Sequence, residues 1–162
     1  MSATAKITPC LWFDNQAEEA AEFYCSIFKN SKITKTTHYT ESAKNPPVNQ
    51  KPGSVMTVEF EIDGQSMMAL NGGPVFQFNE AISLIINCDS QAEVDDFWKK
   101  MSADPKAEQC GWIKDKFGLS WQIVPKALSE LTDNADPASA DRVFKKMLQM
   151  KKLDIAELKA AA

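Results

Sequence analysis

Residues 14–18 read Asp14-Asn15-Gln16-Ala17-Glu18, and residues 89–93 read Asp89-Ser90-Gln91-Ala92-Glu93. A short apolar run precedes each copy: Ile7-Thr8-Pro9-Cys10-Leu11-Trp12-Phe13 in the first, Ile82-Ser83-Leu84-Ile85-Ile86-Asn87-Cys88 in the second. An aromatic pair follows each, Phe23-Tyr24 and Phe97-Trp98. Three features in one order, twice, mark an internal duplication, and a duplication decides the architecture before any local reading does. The apolar runs have strand length and are bounded by turn formers. Asp14 and Asp89 are placed to cap the helices that follow, because a carboxylate accepts from the orphan amides of a first helical turn. Ala17, Ala20, Ala21, Phe23, Tyr24 and Phe28 then make one apolar helical stripe, and Val94, Phe97, Trp98 and Met101 another.

Outward from the repeat, residues 32–41 and 54–62 read as strands, and Asp63-Gly64 turns the chain into a further strand over 65–70, a hairpin signal. Residues 42–53, with Pro46, Pro47, Pro52 and Gly53, read as a loop, and Gly72-Gly73-Pro74 links the halves. In the second half, 108–114 and 119–124 are strand candidates around the turn Asp115-Lys116-Phe117-Gly118. Residues 127–131 and 138–159 read as helices broken at Asp136-Pro137. Val143, Met147, Leu148 and Met150 give the last helix an apolar side, and its charged run faces solvent. Each half is therefore roughly β-α-β-β-β, the second shortened.

The chain has 162 residues, is 44% hydrophobic and 25% charged, and carries a net charge of -4. These values fit an ordinary globular chain, and the acidic balance argues against a nucleic-acid module. No apolar window is long enough to span a membrane, and the opening MSATAKITPC lacks a signal-peptide core, so a cytoplasmic location is expected. The four cysteines, Cys10, Cys25, Cys88 and Cys110, form no C-x-x-C pair and read first as small buried apolar residues. Cys110, in Gln109-Cys110-Gly111-Trp112, is the exception.

The duplicated unit resembles the vicinal oxygen chelate superfamily (glyoxalase I, extradiol dioxygenases, bleomycin-resistance proteins). The strings Ile7 to Asp14, Gly72-Gly73-Pro74, Phe76 to Asn79, Cys110-Gly111-Trp112, Lys114-Asp115 and Ser120-Trp121-Gln122 resemble its PhnB-like branch, often labelled 3-demethylubiquinone methyltransferase-like. The resemblance covers about residues 5–128. It implies an α+β fold: tandem βαβββ modules forming one curved eight-stranded mixed sheet, helices outside, ligand on the concave face, and in many members a homodimer. The whole chain is then one domain, with modules at about 5–71 and 78–126 and a helical tail at about 127–160.

The resemblance also places four metal-ligand positions, on the first and last strands of each module. They fall on Thr8, Met68 (Ala69 if the register slips by one), Ser83 and Gln122. None is a carboxylate, imidazole or thiolate, and divalent ions need several such donors to offset their dehydration, so no metal and no cofactor are expected. Strand alternation puts Thr8, Cys10 and Trp12 on the cleft side, with Ile7, Pro9 and Leu11 toward the helices. Likewise Ser83, Ile85 and Asn87 face inward against Ile82, Leu84 and Ile86, and Ser120, Gln122 and Val124 against Trp121 and Ile123. The helix-facing sets are apolar and the cleft-facing sets mixed. That describes a pocket for a small, partly apolar ligand, with Thr8, Trp12, Met68, Asn71, Phe78, Ser83, Trp112 and Gln122 as its candidate lining. Phe76, Asn79, Cys110 and Lys114 lie in loops nearby.

Three functions remain in contention. The first is metal-free binding of a small molecule. The second is a metal-independent enzyme using His38, Cys110 or the pair Glu59 and Glu61, which share a strand face. The third is a metalloenzyme drawing His38 together with Glu59 or Glu61. His38 is the single histidine, and its plain reading is a surface or hydrogen-bonded strand residue. Methyl transfer is poorly supported, because no G-x-G-x-x-G run is present. The expected partners are a small molecule and a second copy of the chain, with no nucleic acid and no membrane.

Overall fold

A computed structural model describes residues 6–133 and 135–162. The first residues of the N-terminal stretch, 1–5, lie outside the described residues, and with them the start of the expected first module. The chain divides into two compact units, Met1–Gln77 and Phe78–Ala162.

In the first unit the order is β1 (Cys10–Phe13), α1 (Ala17–Ile27), β2 (Lys32–His38), β3 (Val55–Ile62) and β4 (Gln65–Asn71). The sheet runs β1-β4-β3-β2, with β1 parallel to β4 and the other pairs antiparallel. Alternation along β3 and β4 buries Val58, Phe60, Ile62, Met67 and Ala69 on one face. Helix α1 covers that face with Ala17, Ala20 and Ala21, whose small side chains let the helix sit close, and with the buried Tyr24. The Tyr24 ring stacks on Phe60 with centroids 6.2 Å apart. Asp63 (φ 47°) and Gly64 (φ 80°) form the expected two-residue hairpin turn, both in the left-handed region such a turn requires.

Two expectations fail here for local reasons. The first strand starts at Cys10 rather than Ile7, which is 84% exposed; Pro9 has no N–H for a ladder, though its carbonyl still accepts from Met68 N–H. Asp14 does not cap α1: the helix begins after Gln16 without a side-chain cap, and Ala17 N–H donates instead to Asn71 Oδ1 at 2.8 Å.

The second unit contains β5 (Leu84–Cys88), α2 (Gln91–Met101), β6 (Trp112–Lys114), β7 (Ser120–Pro125), α3 (Ala127–Thr132), α4 (Pro137–Met147) and α5 (Ile155–Ala161). Its sheet runs β5-β7-β6, with β5 parallel to β7 and β6 antiparallel to it. The described residues therefore form seven strands in two sheets, of four and three, and not the eight strands expected. The stretch 102–111 between α2 and β6 is too short and too turn-rich for a counterpart of β2. Asp104-Pro105 turns it, and Gln109 already pairs back to Trp112. The second cap is not Asp89 but Ser90, whose hydroxyl accepts from Glu93 N–H, while Glu93 Oε2 reaches back one residue past the cap to accept from Asp89 N–H. Asp89 pairs with Lys126. Among the described residues no helix is long and apolar enough to cross a membrane.

The long last helix expected over 138–159 is interrupted between α4 and α5. Met150 and Leu153 leave helical geometry to join Val143 and Leu158 in a small core with Leu128, Leu131 and Met147. The carbonyls of Met150 and Lys151 are taken by Cys110 N–H at 2.8 Å and Gly111 N–H at 2.7 Å. Gln109 to Trp112 is a tight hairpin turn with Cys110 at φ 49° and Gly111 at φ 86°. A Cβ on Gly111 would lie 2.9 Å from the Ile123 carbonyl oxygen and 3.2 Å from Leu153 Cδ1. Gly111→Ala should therefore cost about 2–3 kcal/mol, strain plus clash, against about 1 kcal/mol for Gly118→Ala, which shares a positive φ but meets open space. Urea unfolding of the two variants measures the difference; equal losses would remove the Cys110-Gly111 turn as the anchor of the C-terminal segment.

Candidate functional site

On the first unit's sheet the face away from α1 is open. Register places Cys10 beside Met68 and Trp12 beside Leu70, with Thr57 and Glu59 next across on β3. Trp12 is the fixed point. Its Nε1–H donates to the Gly73 carbonyl at 2.9 Å, and Phe76 meets its ring edge-on at 5.0 Å. Gly72 lies directly beneath the indole, where a Cβ would sit 2.1 Å from Cζ2. Gly72, Gly73 and Phe76 are thus the seat of Trp12. Thr8 is exposed ahead of β1. Asn71 lies on the opposite, buried face with its side chain committed: Oδ1 accepts from Ala17 N–H, and Nδ2–H donates to the Val55 carbonyl at 3.1 Å.

Glu59 and Glu61 point to the open face and are each met by a lysine of β2, Lys35 at 3.5 Å and Lys32 at 3.3 Å. They form cross-strand ion pairs rather than a carboxylate dyad. His38 is exposed at the end of β2, in register with Val55, while Glu59 is in register with Lys35. His38 and Glu59 belong to the first unit and Cys110 to the second. Burial raises the Cys25 thiol above its ordinary range. Cys88 is pushed up to about 11, by burial first and by Glu93 and Asp89 after it, which keeps it a neutral core thiol.

On the second unit's sheet the open face gathers three of the expected lining residues. Trp112 stands opposite Gln122, and Gln122 stands opposite Ile85, which is 56% exposed. Gln122 Nε2–H donates to Ser83 Oγ at 2.8 Å. Lys114, two residues beyond Trp112 on the same face, pairs with Glu80, and its hydrogen bond holds the Glu80 carboxyl below the usual range. Ser120, opposite Lys114, is 1% exposed, and its Oγ has no hydrogen-bond partner among the described residues. Phe78 is half-buried in the loop before β5. Cys110 belongs to the turn described above.

Sequence reasoning passed over Glu80 and the role of Asp115. Asp115 is buried at 3% exposure; Oδ1 accepts from Phe117 N–H and Leu119 N–H, and Oδ2 from Trp121 Nε1–H at 2.8 Å. An Asp opening a Gly-containing turn was the available signal. Glu80 has none, since its partner is remote in sequence.

The donors at the four transferred positions are a hydroxyl on Thr8, a thioether on Met68, and the Ser83 hydroxyl already hydrogen-bonded to the Gln122 amide. Among the described residues no three His, Cys, Asp or Glu side chains converge. These residues do not fit a divalent ion, which needs anionic or imidazole donors.

A parallel first-to-last strand pair, with a helix packed on the sheet, occurs in both units. The family described as 3-demethylubiquinone-9 3-methyltransferase matches residues 5–124, and the chain belongs to that family. Helices α3 to α5 lie beyond the matched stretch. The chain is 33% identical to the putative 3-demethylubiquinone-9 3-methyltransferase, PhnB protein, of Bacillus cereus, over 75% of this chain and 99% of that one, with a TM-score of 0.60. A Pseudomonas aeruginosa protein shares the fold at 19% identity and TM-score 0.54, over 75% and 98% of the two chains. The fosfomycin resistance protein FosX of Listeria monocytogenes is similar over 79% of this chain and 98% of its own, at 14% identity and TM-score 0.48. No curated protein matches the chain.

Gly72→Ala should displace the Trp12 ring and cost about 1–3 kcal/mol. In a Trp12→Ala background the same change should cost far less, because the clash is with the indole itself. A double-mutant cycle by urea unfolding tests this, and simple additivity would refute the seating of Trp12 on Gly72.

Proposed function

We propose that this chain binds a small, partly apolar molecule on the open faces of its sheets, without a metal ion. The observation that carries the reading is the second unit's row of Ser83, Gln122 and Trp112, an aromatic surface beside a hydrogen-bonded amide and hydroxyl that keep spare capacity for a ligand. In the first unit Trp12, Phe76 and Met68 supply a comparable apolar surface. Methyl transfer, the reaction in the family's description, is disfavoured: it calls for a methyl-donor site, and neither sheet is a Rossmann-type parallel array with a glycine-rich first turn. An enzymatic role has weaker support than binding, because Glu59 and Glu61 are each engaged by a lysine and Cys110 sits within a tight turn.

The test is calorimetric titration with 1-naphthamide, a neutral aromatic amide, before and after dialysis against EDTA. Binding should be saturable and unchanged by EDTA. Trp112→Ala and Gln122→Ala should each weaken it about tenfold, the effect of roughly 1.4 kcal/mol. Loss of binding on chelation, restored by a divalent ion, would overturn the metal-free reading, and absence of binding by both 1-naphthamide and its acid 1-naphthoate would overturn the ligand-binding one. A second copy of the chain completes the proposal, and a mass near 18.0 kDa by light scattering would remove it.

A further inference from the structure

We propose that the molecule held on the second unit's open face is an aromatic acid, its ring on Trp112 and its acidic group on Lys114, and that Glu80 fills the acid's place in the free protein. The inference rests on the ligand-binding reading above and adds the charge of the ligand. Trp112 and Lys114 are alternate residues of β6, so both side chains leave the same face, about 7 Å apart along the strand, while Ile113 between them is 1% exposed on the other. That spacing suits a ring carrying a carboxylate.

Lys114 is the cation of this row. Its side chain is only 24% exposed, yet its ion pair is with Glu80, whose side chain is 63% exposed in the loop before β5. A carboxylate presented by an exposed loop residue contributes little stability and exchanges readily for another carboxylate. The arrangement is that of an internal stand-in: a protein carboxylate on a lysine, beside an aromatic ring and a polar row. A second, independent feature marks the same place. Ser120, in register with Lys114, is buried with an unpartnered hydroxyl, and such orphans are rare enough to indicate a missing partner. An acidic group on Lys114 would lie at the strand position across from Ser120. The other lysines on an open sheet face, Lys32 and Lys35, are mostly exposed and already matched across the ladder by Glu61 and Glu59, without an orphaned neighbour.

The experiment compares 1-naphthoate with its neutral isostere 1-naphthamide, by calorimetry, on the full chain and on Glu80→Gln and Lys114→Met. Wild type should prefer the acid. Glu80→Gln should bind naphthoate at least about fivefold tighter with naphthamide unchanged, because the competing carboxylate is gone. Lys114→Met should weaken naphthoate about tenfold or more and leave naphthamide as in wild type. Unchanged naphthoate affinity in Glu80→Gln would overturn the stand-in, and it does so independently of how Lys114→Met folds. Naphthamide binding without preference for the acid would overturn this inference and leave the ligand-binding reading standing. Failure of both compounds to bind would overturn both.

Discussion

The first unit depends on one buried amide. Asn71 ends β4 at 7% exposure and spends its polar groups on three other segments. Its Oδ1 takes the first amide of α1, its Nδ2 holds the start of β3, and its own carbonyl accepts from Tyr39 Oη–H at 2.5 Å just beyond β2. Leaving any of these donors or acceptors unmade in a dry interior costs about 1–3 kcal/mol, so helix, hairpin and edge strand share one register. This is also why α1 needs no capping residue of its own.

The second unit solves the same problem with a buried carboxyl group and a turn. Asp115 collects two loop amides and the Trp121 indole, which fixes the β6–β7 hairpin. The Cys110-Gly111 turn exposes two amides in the left-handed region, and the segment between α4 and α5 supplies carbonyls for both. Gly72 under Trp12 and Gly111 against Ile123 obey one rule: backbone or ring comes so close that no Cβ fits. The motif strings that carry the family resemblance are therefore largely joints of the fold. A matched motif alone does not locate a reacting group.

What the joints leave free is a sheet face in each unit. In the first it carries cross-strand ion pairs beside an aromatic corner at Trp12. In the second, neutral polar groups, one ring and one lysine lie in a row. The difference comes from residue identity at equivalent alternate positions, and it is why the proposal of ligand binding rests on the second unit.

The duplication, the faces of Leu11, Ile86 and Ile123, and the Asp63-Gly64 turn were legible in the chain, because period-two alternation and turn chemistry are local. The absence of metal-type donors at Thr8, Met68, Ser83 and Gln122 was legible once the family resemblance placed those positions. The helix caps were not, since Asn71 reaches Ala17 from another strand and Ser90 displaces Asp89 by one residue. The eighth strand and the continuous last helix were misread for a similar reason. The short 102–111 stretch turns back on itself, and the carbonyls after α4 are claimed by amides of Cys110 and Gly111. Sequence by itself determined which faces are apolar and where the chain turns, through side-chain period and backbone preference. Only the tertiary structure decided which polar groups are spent on folding and which stay available, because hydrogen bonds such as Asn71 to Ala17, and pairs such as Lys114 with Glu80, join residues with no local signal of each other.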